Sequence, residues 1–248
     1  MTLNTIQFQC RNSSQSCLEI ARAQKAPLKN RYYLIYNDNS CNQGYPRHFF
    51  VYCDFTSQPG YAWTLIESFS RDNRYHNSIN HAFTGDYSVN SDSPDQHWAL
   101  YRMSRSRMLS IYNRDRSLTS QPLWRATCNF ASLPRPFPPS PTDIIYSSFT
   151  NVDILNFFSG RCVTLDYANI CGSVGKSSSY FLYADRLTHL YIPAFYSASV
   201  CGKRILGGNG WDHIWDEYFG AYDSYNAGFS CTKSGNSTTN WWIGAKIH

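Results

Sequence analysis

The chain has 248 residues, and 22 Lys plus Arg against 17 Asp plus Glu leave a formal net charge of +5. Charged residues make up 16% and hydrophobic residues 42% of it, which excludes a disordered chain; no run of 18 apolar residues occurs, so no membrane-spanning helix and no membrane insertion are expected. With 15 Phe, 7 Trp and 19 Tyr but only 3 Met, the composition predicts strands and loops around a large aromatic core.

Ser16-Cys17-Leu18-Glu19 is a capping box, and a short helix is predicted over Leu18 to Ala23. Tyr32 to Tyr36, Phe49 to Phe55 and Ala62 to Phe69 are three apolar runs separated by Asn-Asp-Asn-Ser and Ser-Gln-Pro-Gly, which predicts an antiparallel meander. Ser93-Pro94-Asp95 offers a cap with proline at the first helical position, predicting a helix through about Met103, and Met108 to Tyr112 reads as a strand. Prolines 134, 136, 138, 139 and 141 forbid helix and favour extended polyproline II, a stiff connector over 133–142 in preference to an SH3-type ligand. Arg161 to Ile170, Thr188 to Ile192 and Trp241 to Ile247 are predicted strands. Trp211, Ile214, Trp215, Tyr218 and Phe219 recur at i, i+3, i+4, i+7 and i+8, which predicts an amphipathic helix capped by Asn209 with Asp212, Asp216 and Glu217 on its other face.

None of the 9 cysteines stands in a C-x-x-C pair, so disulfides in an oxidising compartment are expected rather than a zinc ribbon or a redox motif. The short separation of Cys162 and Cys171 suits a closed loop, and the odd count leaves one thiol free or bridging two chains. The sequons at Asn12 and Asn236 fit a secreted glycoprotein. Met1 to Cys10 lacks the charged and apolar regions of a signal peptide, so such a peptide is expected to have been removed or left out.

Val51-Tyr52-Cys53-Asp54-Phe55, followed by Trp63-Thr64-Leu65-Ile66, resembles the opening of the fibrinogen-like domain, which reads Val-Tyr-Cys-Asp-Met and then Trp-Thr-Leu-Ile. The upstream order of Cys17, a short helix and the aromatic strand Arg31 to Ile35 matches it as well. The resemblance covers roughly 16–70 and implies a Cys17 to Cys53 bridge; intelectins share the same opening with a different second half. Departures are Phe55 in place of Met, Gly60-Tyr61-Ala62 in place of Gly-Gly-Gly, and an insertion over Asn37 to Tyr45 whose Cys41 is a candidate partner for Cys10. The family's Asp-x-Asp calcium loop has no counterpart, so none of its ligands carries over. The implied fold is α+β and fibrinogen-like: antiparallel sheets, short helices, long loops and disulfides. The expected organisation is an extension over 1–15, a fibrinogen-like subdomain over 16–132, the connector 133–142, and a divergent subdomain over 143–248 that can pack with the first as one domain.

Catalytic signatures such as G-x-S-x-G and H-E-x-x-H are missing, the 7 histidines are scattered, and Gly207-Gly208-Asn209-Gly210 lacks the lysine of a phosphate loop; a non-enzyme is expected. Asp212, Asp216, Glu217 and Asp223 form the densest acidic patch and are candidate Ca²⁺ ligands, hard oxygens suiting that ion. Tyr222, Tyr225, Trp241 and Trp242 are candidate sugar platforms, with Tyr222, Tyr225 and Trp242 expected to be exposed. Arg102, Arg105, Arg107, Arg114 and Arg116 are a candidate patch for sulfated or sialylated glycans, weighed against a solvated strand edge. The expected function is a secreted lectin that binds glycans or glycoproteins noncovalently and gains avidity as a homo-oligomer, with no nucleic-acid partner. The alternative is a structural or adhesive extracellular module without a sugar site.

Overall fold

The structure, a computed structural model, describes residues 14–24, 27–36, 48–93, 95, 97–132, 143–205, 216–223 and 225–248. Ser16 caps helix α1 (Cys17–Ala23), its hydroxyl accepting the N–H of Glu19 at 3.2 Å. The Glu19 carboxylate reaches one residue further back than a capping box requires, to the N–H of Gln15 at 2.6 Å. The meander forms as expected from β1 (Arg31–Tyr36), β2 (His48–Asp54) and β3 (Tyr61–Ser70), all antiparallel.

β2 pairs only with the first half of β3, and β4 (Leu100–Arg102) takes the second half of the same edge. That free edge accounts for the loss of the helix expected from Ser93 to Met103. The Ser93 hydroxyl accepts the N–H of Asp95 at 3.1 Å and closes a turn instead, and the following chain satisfies its backbone groups on β3. Met108 to Tyr112 is not a strand but part of helix α2 (Arg105–Leu118), capped by Ser104. Its buried stripe is Met108, Ile111 and Asp115, and a carboxyl in the third place hides the helical period from a count of apolar residues.

β5 (Leu123–Cys128), β6 (Ile144–Ser148), β7 (Arg161–Ile170) and β8 (Ser173–Leu182) follow in antiparallel order. The strand expected over Thr188 to Ile192 contracts to a bridge between Tyr191 and Tyr183 and to β9 (Ile192–Pro193), which leads into helix α3 (Ala194–Ser199). β9 pairs with β10 (Glu217–Tyr218). The helix expected over Trp211 to Phe219 is therefore overturned in its described part, and Phe219, with φ of 68°, cannot continue a right-handed helix. Asn209, Trp211, Asp212, Cys10, Asn12, Cys41 and the connector 133–142 lie outside the described residues.

The last strand, β11 (Thr238–Lys246), returns to the middle of the sheet, whose order is β1-β2-β3-β11-β5-β6-β7-β8. Thr238 to Ala245 are all buried, and strand alternation sends Trp241 and Trp242 to opposite faces. On the Trp242 face the Arg125 guanidinium lies 4.7 Å from the Trp242 ring and 4.5 Å from the Trp63 ring, and it pairs with Asp54 at 2.5 Å. Asp54 also accepts from Asn30 Nδ2 at 2.7 Å, from the N–H groups of Ser57 and Thr56 at 3.0 and 3.2 Å, and from the Ser57 hydroxyl. Burial pushes the Asp54 carboxyl up, but Arg125 and these donors outweigh it and hold the group below its ordinary value. On the other face Trp241 packs against Trp124 in a tilted arrangement at 5.8 Å.

Three disulfides close the described chain: Cys17–Cys53, which is the bridge the resemblance implies, Cys128–Cys231 and Cys162–Cys201. The loop expected between Cys162 and Cys171 is not made. These residues sit near opposite ends of β7, about 30 Å apart at strand rise, and Cys171 keeps a free thiol.

Asp54→Ala leaves the Arg125 charge buried without its counterion, so a loss of about 3–5 kcal/mol is expected in urea unfolding. A second prediction concerns Asp115, whose carboxyl is fully buried and is pushed up to about 7 by that burial, with the Ser16 hydroxyl and Arg22 only partly opposing it. Because the folded state holds this proton more tightly than the unfolded one, its contribution is complete below the unfolded value of 3.8 and is lost as pH rises through about 7. Asp115→Asn is expected to flatten the decline in stability between those limits, as read from urea midpoints across pH.

Candidate functional site

Glu67 is a charged residue inside the apolar run of β3 and is fully buried. Both of its oxygens are used. Oε2 accepts from Arg102 Nη1 at 2.9 Å, and Oε1 contacts His189 Nε2. The Arg102 guanidinium, held below its ordinary value by burial and supported against this by Glu67, donates to the carbonyls of Ala82, His81 and Ile79 at 2.9, 2.8 and 3.4 Å. His189 Nδ1 lies 2.8 Å from the Leu190 carbonyl, and its ring is enclosed by Phe69, Phe83 and Trp241 at 5.2, 5.3 and 5.7 Å. One carboxylate thus ties the 79–82 loop, through Arg102, to the 185–190 segment, through His189. The His81 ring completes the link by contacting the Arg186 carbonyl.

Beside these two segments opens a cleft of about 570 Å³, lined by His81, Thr84, Tyr87, Phe158, Asp185 and Arg186. Its size suits a small ligand, for which sites run to about 300–1,000 Å³. Tyr87 is 40% and Phe158 49% exposed. The Tyr87 ring stacks on His81 at 4.0 Å and 10°. It also lies over Gly85, where a Cβ would collide with the edge of the ring, so this glycine allows the platform to lie flat. The Asp185 carboxylate accepts the N–H of Leu187 at 2.7 Å and the Tyr183 hydroxyl at 2.8 Å. Burial pushes Asp185 up, but these donors and Thr188 hold it below the ordinary carboxylate range.

Trp241, Trp242 and Tyr222, expected as sugar platforms, are corrected to core residues. The first two line the central strand, and the Tyr222 hydroxyl shares a hydrogen bond with Thr239. Tyr225 is 56% exposed, with its hydroxyl donating to the Lys233 carbonyl at 2.6 Å. Asp216 is buried and accepts from Asn226 Nδ2 at 2.5 Å, whereas Glu217 accepts the N–H of Asp223, and Asp223 accepts the Tyr75 hydroxyl at 2.6 Å. Burial, reinforced by Asp223 and Asp216, pushes Glu217 up to about 7 even though that N–H opposes it. Among the described residues no group of three or more His, Cys, Asp or Glu side chains is placed to hold a metal ion.

The arginine patch does not assemble on one face. Arg102 is buried against Glu67, Arg107 pairs with Asp92 at 2.5 Å, Arg114 pairs with Glu19, and Arg105 donates to Asn156 Oδ1 at 2.8 Å. At about 100° per residue, Arg105 and Arg116 project to one side of α2 and Arg107 and Arg114 to the other. Asn236 is exposed in the turn before β11. No family model, curated protein or solved structure matches the chain.

Reading the sequence missed the cleft residues Tyr87, Phe158, Asp185 and Arg186, none of which carries a motif. Glu67 was discoverable, because a carboxylate within a buried strand demands a partner. Gly220 is a further hidden support, since a Cβ there would stand 2.5 Å from His189 Nδ1 and would also strike the Leu190 carbonyl. Gly220→Ala is expected to displace His189 from Glu67 and cost about 1–3 kcal/mol, measured by chemical unfolding.

Proposed function

We propose that this chain is a non-catalytic recognition domain of an oxidising, extracellular compartment, fibrinogen-like in its opening segment, that binds glycans noncovalently in the cleft beside the 81–87 loop and the 185–186 turn. The observation that carries the reading is the pair of half-exposed rings, Tyr87 and Phe158, lining a cleft beside two segments that share one buried carboxylate. A flat aromatic face receives the apolar side of a pyranose, and nearby polar groups orient its hydroxyls. Prior locking of the platform spares the ordering cost that a loose loop would impose on binding. The three disulfides and the exposed Asn236 sequon support the compartment, and the Cys17–Cys53 bridge supports the fibrinogen-like opening.

The alternative, an adhesive module that contacts protein, has its own support in the exposed Leu187, Val200 and Tyr196, the last stacked on Phe181 at 5.1 Å. A glycan array probed in Ca²⁺ and again in chelator separates the two readings. Binding that falls by at least about tenfold in Tyr87→Ala, with folding unchanged by circular dichroism, is expected for the lectin. Array silence in both buffers favours the adhesive module.

A further inference from the structure

Resting on the glycan reading, we infer that the cleft selects a pyranose that carries a carboxylate, and that Arg186 is the residue that reads it. Two charged side chains line the cleft, and they differ in what remains available to a ligand. The Asp185 carboxylate is engaged on both oxygens, by the N–H of Leu187 and the hydroxyl of Tyr183. The neighbouring Asp86 carboxylate accepts the N–H of Arg105 at 2.5 Å. Arg186 is exposed, and its guanidinium makes no hydrogen bond or ion pair with any described residue. Its backbone is nevertheless fixed, because the Arg186 carbonyl contacts the His81 ring that supports Tyr87.

The carbonyl oxygens of Ile79, His81 and Ala82 are drawn inward to Arg102, so they are turned away from a bound ligand. A guanidinium with an open fork matches a planar carboxylate through two parallel hydrogen bonds, while Tyr87 and Phe158 hold the ring that bears it. Such ligands are hexuronates or nonulosonates at the ends of acidic glycans, and the carboxylate on a pyranose is their shared chemistry.

The test titrates the intact, oxidised chain with matched methyl glycosides: methyl β-glucuronide against methyl β-glucoside, and a methyl sialoside against its carboxyl-reduced form, followed by calorimetry or saturation-transfer NMR. The acidic member of at least one pair is expected to bind about tenfold more tightly. That margin should disappear in Arg186→Gln, persist in part in Arg186→Lys, and shrink in high salt. Equal affinity within both pairs, with Tyr87→Ala still abolishing binding, overturns the assignment of Arg186 and leaves the glycan reading standing. Binding to neither pair, nor to any array glycan, overturns both.

Discussion

Among the described residues two guanidinium groups are buried, one against each face of the sheet, and the burial of each is tolerable only because a carboxylate meets it there. Arg125 is held by Asp54 between Trp63 and Trp242, and Arg102 is held by Glu67 beside Phe83 at 5.1 Å. A buried charge without its partner is strongly destabilising, whereas a pair with its remaining donors and acceptors satisfied is not. The pairs therefore contribute less as net stabilisers than as constraints on register. Arg125 reaches Asp54 only with β11 lying between β3 and β5, and Arg102 reaches Glu67 only with β4 on the upper edge of β3. Alternative pairings would strand at least one charge.

The same constraint shapes the cleft. Both oxygens of Glu67 are committed, one to each segment, so the two loops cannot separate without unpairing a group inside the core. Loops that carry binding residues usually gain their conformation from the scaffold beneath them. Here the scaffold is a carboxylate on a central strand, and the strain it supports is visible in Phe219 and Ala221, both with positive φ on either side of Gly220. Their energetic cost is offset by the fit of Gly220 against His189.

The motif that resembles the fibrinogen-like opening acquires a physical meaning in this frame. In Val51 to Phe55, strand alternation sends Cys53 to the face under α1, where it bridges Cys17, and sends Asp54 to the opposite face, where it meets Arg125. Trp63 then stacks on the same guanidinium. Cysteine, aspartate and tryptophan thus serve as one covalent and one electrostatic anchor on the two sides of a single hairpin. None of the three faces solvent.

Local rules were sufficient wherever the signal is local. The cap at Ser16, the three strands of the meander, the long β7 and the final strand were legible because capping chemistry and runs of aromatic and β-branched residues report on their own neighbourhood. Elements decided by distant partners were not. Leu100 to Arg102 became a strand because β3 left an edge open, α2 concealed its period behind a buried Asp115, and Glu217 to Tyr218 became a strand against β9. The candidate site divides in the same way. Exposure of an aromatic residue depends on which face the sheet covers, so Trp241, Trp242 and Tyr222 went into the core while Tyr87 and Phe158 stayed open. By itself the sequence determined the class of the protein, a disulfide-bearing, aromatic-rich, mostly antiparallel chain, because composition and short-range pattern suffice for that. Only the tertiary structure decided which charges are buried and which residues meet at the cleft, because those contacts join β3, β4 and two loops more than eighty residues apart in the chain.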